Sequence, residues 1–137
     1  MVAGASLLDQ LADLSRHVQA VHERRAGEEH VSPSLARLLG LLCDRSPTMN
    51  ELAALLDLDK SSTSGLVDRA QRRGLVRRVP SQLDRRSVRV RLTPDGSDLT
   101  ARLAARIAAD LEAMLEPVPE EDGAAFARSL SVILGPR

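Results

Sequence analysis

Residues 48–93 carry the order of signals that most restricts how this chain can fold. Thr48 and Glu51 have the capping-box spacing, in which a hydroxyl and a carboxylate each bind a free backbone N–H at the start of a helix. After a short stretch, Asp59 can cap a second helix, which we expect to run to Arg73. The segment is therefore predicted to open with two helices joined by a tight turn.

Two short strands are predicted after these helices. Residues 75–79 form an apolar and basic stretch that ends at Pro80, and residues 88–92 alternate apolar side chains with arginine, the period of two that is typical of a strand. The polar residues 81–87 lie between the strands as a loop. Helix, turn, helix, strand, loop and strand is the order of a winged helix-turn-helix, so we predict a mainly α fold with a small β-wing.

Further helices are predicted on both sides of this unit. Ser32 and Pro33 are a helix start signal, and the helix that follows is apolar nearly all round, which indicates a central position. The first, the long and the last helix each have one apolar stripe at helical spacing. The stripes are Leu7, Leu11, Leu14, Val18 and Val21, then Leu99, Leu103, Ile107, Leu111, Met114 and Leu115, then Phe126, Leu130, Ile133 and Leu134.

The formal net charge is zero, yet the charges are separated along the chain. Residues 60–91 hold ten basic and two acidic groups, a net charge of +8, and the remainder carries −8. A basic block in an otherwise acidic chain is typical of a protein that binds a polyanion, and a solvated arginine-rich face is the alternative explanation. The chain has one Phe and neither Tyr nor Trp, which weighs against binding single strands by base stacking.

The second helix of this unit has a face suited to double-stranded DNA. On a helical wheel Thr63, Leu66, Val67 and Ala70 share one side, and small polar residues followed by arginines occupy the other. Small side chains let the backbone approach base edges, whereas arginine binds guanine or phosphate. A helix of 15 residues is about 22 Å long, enough to lie along a major groove.

The chain resembles the multiple antibiotic resistance regulator (MarR) family over about residues 48–99. The most specific part is the wing, residues 84–96, which has the form D-R-R-x-V-x-V-x-L-T-x-x-G. The other matching stretches are Asn50-Glu51-Leu52-Ala53, Asp59-Lys60-Ser61-Ser62-Thr63, Leu66-Val67-Asp68-Arg69 and Arg73-Gly74-Leu75-Val76. The flanking helices agree with the family in number and order, not by motif.

The resemblance implies a homodimer whose two recognition helices enter successive major grooves, with Arg86 at each wing tip reaching the minor groove. It divides the chain into an N-terminal dimerisation helix (residues 1–30), a DNA-binding domain (31–96) and C-terminal dimerisation helices (97–137). The residues expected to contact DNA are Lys60, Ser61, Ser62, Ser64, Arg69, Arg72, Arg73, Arg85 and Arg86. Those expected to hold the dimer are Leu7, Leu11, Leu14, Leu111, Leu115, Phe126, Leu130 and Leu134.

Two positions depart from the family pattern, and a third has an assigned role. Asp57 stands where the turn usually has glycine, but aspartate tolerates a left-handed backbone, so we expect the turn to be kept. Gly65 stands where the recognition helix often has arginine, costs about 1 kcal/mol relative to alanine and removes a base contact. Readout should therefore depend more on Arg69, Arg72 and the wing. Asp84 is expected to orient Arg86, or an arginine of the recognition helix, through a charge-assisted hydrogen bond.

Other chemistries find little support in the sequence. Some relatives sense peroxides through a cysteine near the N-terminus with tyrosine partners, whereas we place Cys43 in an apolar helix of a chain without Tyr and expect a buried structural thiol. His17 and His22 lie about 140° apart around a helix, so we expect solvated histidines and no metal, although a dimer could combine ligands from two chains. A nucleophile elbow and a glycine-rich phosphate loop are both absent, so we expect neither an enzyme nor a cofactor.

Two functions remain open. The first is a transcriptional repressor whose partners are double-stranded DNA, a second copy of the chain, and a small-molecule effector bound between the dimerisation and DNA-binding lobes. The second is a protein-interaction module that has lost operator binding, which only Gly65 favours. Since no apolar run approaches the ~20 residues of a membrane-spanning helix, we expect a cytosolic protein without a membrane partner.

Overall fold

The computed structural model describes residues 4–136, which fold into six helices and one antiparallel hairpin. The elements are α1 (Leu7–Glu28), α2 (Pro33–Leu41), α3 (Met49–Leu56), α4 (Lys60–Arg72), β1 (Val76–Pro80), β2 (Val88–Leu92), α5 (Pro94–Leu115) and α6 (Glu120–Leu134). This order confirms the predicted fold class, a mainly α chain with a small β-wing. Residues 1–3 and 137, which belong to the two outer segments of the predicted division, lie outside the described residues.

The predicted capping residues begin the helices as expected. The Thr48 hydroxyl accepts from the backbone of Glu51, whose carboxylate accepts from the backbone of Thr48, so both hydrogen bonds of the capping box are formed. A second box at Ser6 and Asp9, which was not predicted, starts α1. Asp57 has φ 53° and ends α3 in the left-handed region, which confirms that aspartate supports the turn to α4.

The hairpin is shifted by one residue from the predicted strand. β1 runs from Val76, which pairs with Leu92, to Pro80, which pairs with Val88. The N–H of Leu75 donates to Ala70 O at 3.0 Å, which ties this residue to the end of α4, while its carbonyl accepts from Thr93 N at 3.0 Å and continues the hairpin ladder. Pro80 is tolerated at the strand end because its missing N–H costs little of the ladder there.

The hydrophobic core lies between α2, α3, α4 and the hairpin. Leu38, Leu52 and Val67 are fully buried, and each Leu contributes about 1.5–3 kcal/mol by leaving water. Leu99 and Leu103 of α5 and Ala26 of α1 belong to the same hydrophobic cluster. The central position predicted for α2 is confirmed, since Leu35, Leu38 and Leu39 are all buried.

The first turn of α5 packs directly on the base of the hairpin. A Cβ atom at Gly96 would lie 1.9 Å from the carbonyl oxygen of Leu75, so only glycine fits there. The Thr93 hydroxyl accepts from Gly96 N at 3.1 Å and donates to Gly74 O at 2.5 Å. These contacts fix the direction in which α5 leaves the hairpin.

The outer helices are buried only where they meet this core. α1 buries Val21 and Ala26 near its C-terminal end, α5 buries residues of its first half, and α6 has no buried residue. Arg25 and Asp110 join α1 to α5 through a two-point ion pair with N–O distances of 2.7 Å. Within residues 4–136, no helix has the length and apolar character needed to span a membrane.

The expectation for Cys43 is wrong. Cys43 is exposed, with its Sγ 3.5 Å from the carbonyl oxygen of Leu39. The physical reason is that α2 ends at Leu41, so Cys43 leaves the helical periodicity that would have directed it into the core. His17, His22 and His30 are exposed as well, and residues 4–136 contain no group of three potential metal ligands.

Candidate nucleic-acid interface

α4 has the two faces that the helical wheel predicts. Thr63, Leu66, Val67 and Ala70 are buried against the core, and the Thr63 hydroxyl donates to Asp59 O at 2.8 Å. The opposite face is open to solvent. The helix is therefore held by one side and presents the other to a ligand.

The N-terminal turn of α4 combines a firm cap with small exposed side chains. The Asp59 carboxylate accepts from Ser62 N at 2.6 Å, and this hydrogen bond lowers the pKa of Asp59 below its usual value. Lys60, Ser61 and Ser62 are exposed and Ser64 is half-buried. Backbone and hydroxyl groups can thus approach another molecule closely at this end of the helix.

The side chain of Arg69 lies over Gly65 in the middle of α4. Its Nη1 atom is 3.4 Å from the position that a Cβ at Gly65 would occupy. The basic surface therefore continues across the position where the chain lacks a side chain. Arg69 is exposed, so its guanidinium remains accessible to a phosphate or a base edge.

Arg78 of β1, whose role was not predicted from the sequence, anchors the hairpin to the outer face of α4. Its Nη2 atom lies 2.8 Å from Asp68 Oδ1, and its Nη1 atom donates to Gln71 Oε1 at 2.8 Å. Arg72 is exposed, and its Nε atom makes only a 3.4 Å contact with the carbonyl of Asp68 in its own helix. The structure thus leaves Arg72 available and uses Arg78 for packing. Arg78 lies on the side of β1 that faces α4, and this position in the strand is the signal from which its packing role could have been predicted.

Arg73, predicted to contact DNA, is placed elsewhere by the structure. Its Nη1 atom donates to the carbonyl of His30 at 2.7 Å and its Nη2 atom to the carbonyl of Glu29 at 3.1 Å. The guanidinium therefore faces the end of α1. The physical reason is that α4 ends at Arg72, so Arg73 leaves the helix toward the α1–α2 turn.

The wing tip is a turn built around Asp84. Its carboxylate accepts from Arg86 N at 2.9 Å and from the Ser87 hydroxyl at 3.2 Å. Asp84 thus holds Arg86 through its backbone N–H, a hydrogen bond to a charged acceptor. Arg85 and Arg86 are exposed on this turn. The tip therefore presents two exposed arginines on a turn that is hydrogen-bonded to Asp84.

Arg89 fixes the base of the wing, a role that was likewise not predicted. Its Nη1 atom donates to Ser46 O at 2.7 Å and lies 3.9 Å from the carboxylate of Glu51. Thr48 pairs with Arg89 as an isolated bridge beside β2. The wing is therefore tied to the start of α3 as well as to α4.

Comparison with known proteins agrees with this geometry. A family model described as MarR family matches residues 31–87, which run from the residue before α2's cap to the wing. The HTH-type transcriptional regulator YsmB of Bacillus subtilis is 30% identical in an alignment of 131 residues, and the match covers 90% of each chain. The chain belongs to the MarR family.

Two solved structures share the fold of this MarR-family chain. A mutant of MepR from S. aureus, bound to an oligodeoxyribonucleotide, has a TM-score of 0.71 and 18% identity, with coverage of 91% of this chain and 93% of that one. NadR in complex with 4-hydroxyphenylacetate has a TM-score of 0.71 and 19% identity, with coverage of 97% and 95%. The protein is a MarR-type transcriptional regulator.

Proposed function

We propose that this MarR-family chain is a repressor that binds an inverted-repeat operator as a homodimer and releases it when a small anionic effector binds. The observation that carries the proposal is the ordered basic surface formed by the open face of α4 and the wing tip. The DNA-contacting set that we propose is Lys60, Ser61, Ser62, Ser64, Arg69, Arg72, Arg85 and Arg86, without Arg73. The MepR relative, which is bound to an oligodeoxyribonucleotide, supports this assignment.

The outer helices support the homodimer. Leu7 is 80% exposed, Leu115 is 51% exposed and Leu134 is 58% exposed, which is unfavourable for large apolar side chains in water. Contiguous exposed apolar surface marks an interaction site. We assign its burial to a second copy, because α6 has no buried residue in the single chain and needs a partner to cover its apolar stripe.

A symmetric dimer determines the form of the operator. Two α4 helices related by a two-fold axis would enter successive major grooves, so half-site centres should lie about one helical turn apart. Arg86 at each wing tip would enter the flanking minor groove, where groove width and A·T content are read. An operator with a dyad axis is therefore expected.

A basic groove between the lobes supports the effector. A cavity of about 680 Å³ lies between the end of α2, the base of the hairpin and the start of α5, and Asp44, Arg45, Arg77 and Arg91 line it. Arg45 pairs with Asp44 at 3.1 Å, so the net positive charge of the groove comes from Arg77 and Arg91. Arg77 and Arg91 are directly opposed across the hairpin, and like charges at such positions repel, so an anion bound between them would be favoured. We infer that the effector is an organic anion, and the carboxylate ligand of the NadR relative agrees.

A protein-interaction module that has lost operator binding is the second candidate. Gly65 favours it, because the middle of the recognition helix has no side chain there to contact a base. The guanidinium of Arg69 over Gly65 favours the first candidate, since it keeps the surface basic.

Selection of binding sites from random duplex DNA tests the proposal. The selected sites should share an inverted repeat, and binding should weaken about a thousandfold or more between 50 and 200 mM salt if the dimer makes about 6–10 phosphate contacts. Transcription from a promoter that overlaps the site should fall when the protein is added. A footprint without a dyad or a flat salt response would contradict DNA binding by this surface, and unchanged transcription would contradict repression.

A further inference from the structure

α1 ends in a strained turn that faces the recognition helix. The N–H groups of His30 and Val31 close a Schellman motif by donating to Gly27 O at 3.0 Å and Ala26 O at 2.8 Å. His30 occupies its left-handed position with φ 54°, where glycine is the usual residue. A non-glycine residue in this region persists only when its surroundings hold it in place. Neighbouring contacts must therefore hold His30 in this conformation.

Arg73 makes the contacts that hold this turn. Its two terminal nitrogens bind the carbonyls of Glu29 and His30 at 3.1 and 2.7 Å, and the positive charge lies at the negative end of the α1 dipole. Arg73 directly follows α4, so the end of the recognition helix is fastened to the end of α1. A planar guanidinium can bind two carbonyls at once, whereas a lysine ammonium lacks this fixed fork.

Glu29 extends the connection to α5. Its carboxylate lies 3.6 Å from Arg102 Nη2 and 3.6 Å from Arg106 Nη1, while its carbonyl binds Arg73. One residue therefore links α1, α4 and α5. Of these, α1 and α5 belong to the proposed dimer contact, and α4 belongs to the proposed DNA contact.

We propose that Arg73 is a positioning residue that sets the angle of the recognition helix relative to the dimerisation helices, and thereby the half-site spacing that the dimer accepts. This inference rests on the proposed function. α4 has 13 residues and is about 20 Å long. A rotation of about 10° at its C-terminal end moves its N-terminal end by about 3.5 Å, close to the rise of one base pair. Loss of the Arg73 hydrogen bonds should therefore change the half-site spacing that the dimer accepts, while the contacts of each α4 within its half-site are kept.

The test compares Arg73→Ala with Arg72→Ala on duplexes carrying the inverted repeat selected by the wild-type protein, with zero, one or two base pairs inserted or removed between half-sites. The wild type should lose about tenfold or more in affinity for a one-base-pair change. Arg73→Ala should lose less than about threefold and keep the wild-type salt slope. Arg72→Ala should keep the spacing discrimination and lower the salt slope by about one unit, because it removes a phosphate contact.

Two further variants make the outcome decisive. Arg73→Lys should recover part of the discrimination, because an ammonium can bind one of the two carbonyls. Glu29→Gln keeps the backbone carbonyl that binds Arg73 but weakens the link to α5, so it should also broaden the accepted spacing. It replaces Arg73→Ala in the test if circular dichroism shows that Arg73→Ala does not fold. Wild-type discrimination in a folded Arg73→Ala variant, or a lowered salt slope in it, would overturn the inference. If Arg73→Ala does not fold, wild-type discrimination in Glu29→Gln would overturn it. A wild-type protein without a dyad or a spacing preference would overturn the proposed function together with it.

Discussion

The winged-helix lobe (residues 31–92) and the outer helices (α1, α5 and α6) differ in how far their apolar side chains are buried within one chain. In the lobe, α2, α3 and α4 each bury an apolar face against a shared core. In the outer helices, apolar side chains far from the lobe stay in water, with Leu7 at 80%, Val132 at 84% and Ile133 at 65% exposure. The lobe thus has its hydrophobic core within one chain, with Leu83 of the wing loop 91% exposed, whereas the outer helices, in our proposal, present apolar surface to another chain.

The same sequence pattern, an apolar stripe on a helix, occurs in both regions. An apolar stripe at helical spacing predicts burial, but the spacing itself does not say whether the covering atoms belong to the same chain. Leu99 and Leu103 of α5 join the core, while Leu115 on the same stripe is exposed. A single helix therefore serves the lobe with one half and, in our proposal, a partner with the other.

The largest effect is expected from a charge on the outer face of α6. Phe126→Glu should give a monomer and weaken binding to the selected operator by about a thousandfold or more, to the level of nonspecific binding, because a buried carboxylate opposes the dimer contact. Ala124→Glu introduces the same charge on the other side of α6 and should bind as the wild type does. Sedimentation velocity and fluorescence anisotropy report the two quantities. A dimeric Phe126→Glu variant with wild-type affinity would remove α6 from the interface.

Truncating leucine in each region should distinguish the lobe from the outer helices. Leu38→Ala should lower the free energy of unfolding by about 2–5 kcal/mol at every protein concentration, because Leu38 is fully buried within one chain. Leu7→Ala should act through dimer dissociation, so its effect on the melting temperature should grow as the protein is diluted. Calorimetry over a wide range of protein concentration measures both. The same concentration dependence in the two variants would contradict the division.

Substitutions of two proposed DNA-contacting residues should differ in their effect on sequence specificity. Arg86→Ala should weaken operator binding by about 1–3 kcal/mol and flatten the preference for A·T pairs at the edges of the site. Arg72→Ala should weaken operator and random duplexes about equally, since a phosphate contact carries no sequence information. Titrations against both duplexes separate these patterns. Wild-type operator affinity in a folded Arg86→Ala variant would remove the wing from the mechanism.

The smallest effect is expected at the ion pair between α1 and α5. The hydrogen bonds from Arg25, followed by those from Arg24, lower the pKa of Asp110 from 3.8 to about 2. Because the folded-state pKa is the lower one, this stabilisation is present above about pH 4 and is lost as the pH falls through 3.8 toward 2. Asp110→Asn should therefore flatten the acid side of the stability profile in urea titrations. Asp98→Asn, on the same helix, should leave it unchanged, and an equal change in both variants would contradict the assignment.

The sequence predicts the elements of this chain well because its start and stop signals are local. The capping box at Thr48 and Glu51 and the tolerant turn at Asp57 depend on neighbouring residues alone. The errors occur at residues that lie just beyond the end of a helix. α2 ends at Leu41 and leaves Cys43 in solvent, and α4 ends at Arg72 and directs Arg73 to α1.

The site was less predictable than the fold, because arginines in one basic block have different partners. Arg78 binds Asp68 and Arg89 binds Ser46, while Arg86 remains exposed. Charge and periodicity place all three in the block, but only long-range contacts show which are used for packing. The contact from Arg89 to Ser46 spans 43 residues and has no local signature.

The mass of the free protein tests the central claim that the outer helices are completed by a second copy. Multi-angle light scattering at micromolar concentration should give the mass of two chains of 14.8 kDa each, and the Phe126→Glu variant should give the mass of one. A wild-type particle of 14.8 kDa across this range would contradict the account, because the apolar faces of α1, α5 and α6 would then be stable in water without a partner.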